Sequence, residues 1–120
     1  MDLSAAVEAM NALGQETRLR AFRLLVEAGE EGVSAGEIAR RLEVPHNTMS
    51  THLAQLTRAG LIRSRRESRS IIYMADLAGT RALLAFLVQD CCHGQPEACA
   101  PLLDAVLPLA ACCPAPQRPA

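Results

Sequence analysis

Residues 34–60, "SAGEIARRLEVPHNTMSTHLAQLTRAG", are two short amphipathic segments divided by a turn, and that pairing leaves few folds open to the chain. Ser34 opens the first segment with Glu37 three positions on, the spacing of a capping box. Ala35, Ile38, Ala39 and Leu42 then fall on one helical face. The stretch "EVPHN" breaks the periodicity, and Pro45 is tolerated at a helix start but not inside one. The second segment, about residues 46–59, turns Met49, Leu53 and Leu56 inward, is polar outside, and ends at Gly60. Two short capped helices joined by a tight turn, the second densely polar on its outer face, have the layout of a helix-turn-helix.

The flanking segments extend this unit. In "LIRSRRESRSIIYMA", residues 61–75, Leu61, Ile62 and Ile71 to Met74 are strand-like, and "RSRRESRS" reads as a polar hairpin tip. A β-hairpin after a helix-turn-helix is a wing. Upstream, residues 2–12 suit a short helix. Residues 15–28 form a second, with Leu19, Phe22, Leu25 and Val26 on one face and Gly29 placed to stop it. Downstream, residues 76–91 carry Leu77, Leu84, Leu87, Val88 and Cys91 along one side of a helix. Leu83 and Phe86 widen that apolar face beyond one core contact, which suggests a partner chain. The expected fold is mainly α with a β-hairpin wing, a winged helix-turn-helix paired as a homodimer through its terminal helices. Residues 1–92 form the DNA-binding and dimerisation domain, and residues 93–120 a cysteine-containing tail.

Composition bounds the function. Half of the 120 residues are hydrophobic but only 2% are aromatic, so Leu, Ala, Ile, Val and Met must build the core. A chain this short buries a modest fraction of its surface, and dimerisation would help it. The start, "MDLSAAVEAM", lacks a basic n-region, and "ALLAFLV" is too short to span a bilayer. A cytoplasmic protein with no membrane partner is expected, its thiols mostly reduced. The formal charge of −1 hides an asymmetry: residues 32–75 carry seven arginines against Glu37, Glu43 and Glu67. A basic middle third between acidic flanks points to double-stranded DNA as partner.

Within that third, the outer face of the 46–59 helix offers His46, Asn47, Thr48, Ser50, Thr51, His52 and Gln55. The N-terminal residues of such a helix meet base edges in the major groove. Asn and Gln can bond adenine bidentately, and Ser and Thr serve bases or phosphates. Several of these can equally be a solvated helix face, and His52 can be a packed structural histidine. Arg58, Arg65, Arg66 and Arg69, with Arg63 beside them, make the wing basic and suited to phosphates.

The segments "ALGQETRLRAFRLL", "SAGEIARRL", "NTMSTHLAQLTRAGLI" and "IIYMAD" together resemble the ArsR/SmtB family of bacterial winged helix-turn-helix repressors. The resemblance spans roughly residues 8–76 and is most specific in T-x-S-x-H-L-x-x-L-x-x-A-G-L, residues 48–61. It implies a homodimer, an operator with two half-sites, and an inducer that releases the DNA. Founding arsenic and cadmium sensors of the family carry Cys-x-Cys at the first helix of the DNA-binding unit. The matching "GVSAGEIARRL" has no cysteine, and "LAGTRALLAFLVQD" lacks the histidine that zinc sensors place on the last helix. Some relatives sense arsenite with a cysteine pair at the end of that helix plus a third nearby, and "CCHGQPEAC" looks like that arrangement.

Thiolates are soft ligands and select soft metals and metalloids. As(III) and Sb(III) take three sulfurs in a pyramid, which Cys91, Cys92 and Cys99 could close, with Gly94 and Pro96 turning the chain back. A disulfide between adjacent Cys91 and Cys92 would be strained, because neighbouring Cα atoms lie ~3.8 Å apart. Zinc would need His93 as a fourth ligand in an unusual run of three consecutive residues. Cys112 and Cys113 lie in the proline-rich tail, as a second thiol site, a clamp for an organoarsenical or accidental residues, with the latter two favoured. The leading expectation is a repressor released by trivalent arsenic or antimony. A repressor sensing thiol redox state or persulfide, and an arsenite-binding metallochaperone, are the alternatives. An enzyme is not expected: no arginine lies between Arg81 and Arg118 to build an anion loop beside a nucleophilic cysteine.

Overall fold

A computed structural model describes residues 1–88, together with Pro101 and Ala105. The elements in chain order are α1 (Leu3–Leu13), α2 (Glu16–Ala28), a single 3-10 turn (Gly29–Glu31), β1 (Val33–Ser34), α3 (Ala35–Leu42), α4 (His46–Arg58), β2 (Ile62–Glu67), β3 (Ser70–Ala75) and α5 (Leu77–Leu87). The expected winged helix-turn-helix is the fold that forms.

Local chemistry sets the helix ends. Asp2, Gln15, Ser34 and Asp76 cap α1, α2, α3 and α5 with side-chain oxygens that accept a backbone N–H. Ser34 Oγ accepts from Glu37 N at 3.2 Å, as the capping-box spacing predicts. The Glu37 carboxylate itself holds Arg41 and Arg40, which together keep its pKa below the ordinary carboxylate value. Both helices of the helix-turn-helix end in Schellman bonding. After α3, Val44 N donates to Ala39 O (3.0 Å) and Glu43 N to Arg40 O (3.2 Å), with Glu43 left-handed at φ 57. After α4, Leu61 N donates to Leu56 O (3.1 Å) and Gly60 N to Thr57 O (3.0 Å), with Gly60 at φ 81.

The core gathers Ile38, Ala39 and Leu42 of α3, Met49, Leu53 and Leu56 of α4, and Ala21, Phe22 and Leu25 of α2. Alanines 6, 9 and 12 give α1 a smooth inner face against it. Three expectations change here. Leu19 lies off the buried stripe of α2 and is 44% exposed, because Ala21 shares the inward arc with Phe22 and Leu25. In α5 the fully inward residue is Leu83, with Leu77 and Phe86 packed beside it, while Leu87 is 51% exposed. The stretch "RSRRESRS" is not a loose tip: β2 runs through Glu67, and only Ser68 and Arg69 form the turn.

The sheet order is β1-β3-β2, antiparallel throughout. The short β1 pairs Val33 with Tyr73 and Ser34 with Ile72, fastening the wing to the start of α3. Gly32, at φ +73, makes this possible, since a Cβ there would stand 2.5 Å from the Tyr73 carbonyl oxygen. A second bare contact joins α5 to the end of α4, where a Cβ on Gly79 would overlap the Gly60 carbonyl oxygen.

Two glycine substitutions should therefore act in opposite directions. Gly79→Ala has no room and should cost about 3 kcal/mol, at the upper end of overpacking penalties. Gly36→Ala, on α3 with its nearest neighbour 4.0 Å away, should gain about 0.5 kcal/mol. Urea unfolding of both variants checks the pair; a neutral Gly79→Ala would contradict the close seating of α5.

Candidate nucleic-acid interface

The buried stripe of α4 dictates its outer one. Met49, Leu53 and Leu56 have no exposed surface, so the 3.6-residue period turns Asn47, Ser50, Thr51, Ala54 and Arg58 away from the core, and all five are exposed. His46 and Thr48 flank the N-terminal end of that stripe and are exposed too. Pro45, extended at φ −55 and ψ 144, supplies no capping side chain. Asn47 Oδ1 accepts from Thr48 N at 2.9 Å, and Thr51 Oγ1 donates to the Asn47 carbonyl at 3.3 Å. His46, Asn47, Thr48, Ser50 and Thr51 are thus brought together at one end of an open helix face. Ala54 belongs to the same face; a search for polar residues passes over it, although a methyl group can meet a thymine methyl.

The other sequence candidates on α4 turn toward the rest of the chain. His52 is half-buried, and its Nδ1 lies 3.3 Å from Arg18 Nη1. Because a guanidinium only donates, Nδ1 must accept and the ring proton sits on Nε2. Arg18 also donates from Nε to Ala12 O (2.7 Å) and from Nη2 to Asn11 O (3.2 Å), tying the end of α1 to α4. Gln55 is half-buried against this corner and lines a polar cavity of about 190 Å³ with Glu8, Asn11, Ala12, Arg18 and Arg58. Its Oε1 has no hydrogen-bond partner among the described residues. Arg58 approaches Glu8 at 3.6 Å, an exposed pair that contributes little.

In the wing, Arg63 pairs with Glu30, and Arg65 bonds Glu67 and the carbonyls of Glu30 and Glu31. The side chains of Arg66 and Arg69 are exposed and form no hydrogen bond or ion pair among the described residues. The candidate ligands Cys91, Cys92 and Cys99, with Cys112 and Cys113, lie outside the described residues. Among the described residues no three His, Cys, Asp or Glu side chains are grouped to hold a metal ion. No helix among them is long and apolar enough to cross a membrane.

A capped helix pair with one open polar face, followed by a basic hairpin, defines a winged helix-turn-helix DNA-binding module. The profile of a helix-turn-helix domain family matches residues 13–65. The chain is 31% identical over 88 residues to the transcriptional activator HlyU of Vibrio cholerae, covering 73% of this chain and 79% of that protein. It is 36% identical over 83 residues to a protein of Halobacterium salinarum provisionally named the arsenical resistance operon repressor ArsR, covering 69% and 64%. The homodimeric winged helix-turn-helix DNA-binding domain of a Mycobacterium bovis protein, provisionally placed in the ArsR family, superposes with TM-score 0.60 at 25% identity, covering 72% and 78%. The chain belongs to the ArsR/SmtB family of winged helix-turn-helix transcriptional regulators. Its activity is regulation of transcription through DNA.

Burial, and then the adjacent Arg18, hold the His52 pKa below the ordinary 6.5. A depressed histidine value means the unfolded chain takes up the proton first as pH falls. Stability should be fully present above pH 6.5 and decline as pH drops through that value toward the folded one. Thermal unfolding at pH 7.5 and 5.5 checks this, with a smaller drop expected for His52→Gln. An equal drop in both proteins would remove His52 as the cause.

Proposed function

We propose that the protein is a cytoplasmic, homodimeric repressor that binds a two-half-site operator and releases it when As(III) or Sb(III) is captured by Cys91, Cys92 and Cys99. The observation that carries the DNA half is the open α4 face of His46, Asn47, Thr48, Ser50 and Thr51 beside a wing whose Arg66 and Arg69 side chains have no partner among the described residues. The inducer half stands on donor chemistry: three thiolates within "CCHGQPEAC" match the three-sulfur preference of trivalent arsenic and antimony. The arsenical-resistance name of the Halobacterium relative supports the same ligand class.

Pairing has support in the single chain. α1 leaves Leu3, Val7 and Met10 exposed along one stripe, and α5, which packs on α1, leaves Leu87 exposed. Exposed apolar stripes of this kind mark contact surfaces, and the Mycobacterium neighbour is a homodimer. A second reading has its own observation: the Vibrio relative is named an activator. An operator–reporter assay separates the two, since a repressor's reporter rises on adding arsenite and on deleting the protein, and an activator's falls on deletion.

Arsenite under reductant should weaken operator binding ~5–150-fold, the span of a ~1–3 kcal/mol coupling. Replacing Cys91, Cys92 or Cys99 with Ser should leave DNA binding intact and abolish that response, whereas the double replacement of Cys112 and Cys113 should change it little. Capture should also strengthen as pH rises toward ~8.5, because thiolates are the ligands. A Cys99→Ser protein that still responds would move the site to other cysteines. For the dimer, Val7→Glu or Leu87→Glu should give monomers in sedimentation without unfolding the chain, since both side chains are already half-exposed. Intact dimers in both cases would exclude this face.

A further inference from the structure

The four wing arginines look equivalent in sequence, but strand alternation separates them. Arg63, Arg65 and Glu67 share one face of β2, and Arg66 lies on the other. On the first face, Arg63 Nη2 donates to Glu30 Oε1 at 2.9 Å. Arg65 commits all three nitrogens: Nε to Glu67 Oε2 at 2.7 Å, Nη1 to Glu30 O at 3.1 Å and Nη2 to Glu31 O at 3.1 Å. Under it lies Met74, 2% exposed, with Sδ 3.7 Å from Arg65 Nη1. Met74 is buried yet stands apart from the main core cluster, and the Arg65 guanidinium lies against its sulfur. On the opposite face, Arg66 stands across from Ile71, a 40% exposed apolar residue, and Arg69 occupies the turn.

We propose that Arg65 is a positioning residue that clamps the wing to the turn at Gly29–Glu31, and that Arg66 and Arg69, with Ile71, are the part of the wing that meets DNA. This rests on the DNA-binding reading above. For Arg65 to reach a phosphate it would have to give up three hydrogen bonds at once, to two carbonyls and a carboxylate, together with its contact to Met74 Sδ; each exposed bond is modest, but the three are lost together. Arg66 and Arg69 surrender only water and counterions. Ile71 beside them offers an apolar surface for deoxyribose, which no cation supplies.

Binding of the full chain to a labelled mixed-sequence duplex of about 30 base pairs, titrated across salt, tests the division, because such binding is dominated by phosphates. The combined Arg66→Ala and Arg69→Ala variant should lower the log–log salt slope of the dimer by roughly 3–4, at ~0.9 per phosphate contact. Arg65→Ala alone should weaken binding roughly three- to ten-fold, within the coupling range of neighbouring residues. Added to the Arg66→Ala, Arg69→Ala background it should cost nothing further, since it acts through those two. Arg65→Lys should behave like Arg65→Ala, because a point charge cannot hold two carbonyls and a carboxylate at once. That variant keeps the test sound if alanine unfolds the wing. An additive loss with a further fall in slope of about two, or rescue by lysine, would make Arg65 a phosphate contact and overturn the proposal. A wild-type chain that binds no duplex overturns the DNA reading itself.

Discussion

The seating of α4 through Met49, Leu53 and Leu56 is the interaction on which the rest depends. Each of the three has lost all of its exposed surface, and burying one such side chain stabilises by about 1.5–3 kcal/mol. The helical period then does the remaining work. Once that stripe is fixed, Asn47, Ser50, Thr51, Ala54 and Arg58 have nowhere to point but outward. The face that would read DNA is the geometric complement of the face that holds the protein together. His52 and Gln55 sit at the border between the two, which is why they are spent on the α1–α2 corner.

That relation explains what the sequence made legible. Periodicity and caps located α3, the turn at Glu43–Pro45 and α4 nearly to the residue, because Ser34, Gly60 and the apolar stripe act locally. The two-residue β1 escaped, since Val33 and Ser34 become a strand only through pairing with Tyr73 and Ile72, 40 and 38 residues further along the chain. The partners of Arg65 and His52, and the burial of Gln55 against the α1 corner, escaped for the same reason. A charged or polar side chain in a helix or strand advertises exposure, but its hydrogen-bond partner is set by tertiary approach. In α5, four large apolar residues out of five consecutive positions, "LLAFL", fit a stripe through Leu84 and Leu87 as well as one through Leu83, and the expected stripe is the former. Packing on α1 chose Leu83.

The cysteines complement this picture. In α3, Ile38, Ala39 and Leu42 are committed to the core, and Glu37, Arg40 and Arg41 form an ion-pair cluster outside. A thiol-based signal of the kind proposed therefore enters from beyond α5, not through the first helix of the DNA-binding unit. The two routes differ in what they must move. A ligand on α3 would act directly on the neighbour of α4, whereas one bound by residues that follow α5 in the sequence would have to act through that helix.

The contact between Gly79 and the Gly60 carbonyl gives that helix a mechanical character. Backbone meets backbone there with no side chain to act as a cushion, and Asp76 N donates to Leu61 O at 2.9 Å alongside. Such a joint resists sliding far more than swivelling. From Gly79 the remaining eight residues of α5, up to Leu87, extend about 12 Å, at ~1.5 Å per residue. The helix is thus a lever with its fulcrum at the C-terminal end of α4, and a tilt imposed at its far end is delivered to that fulcrum as torque.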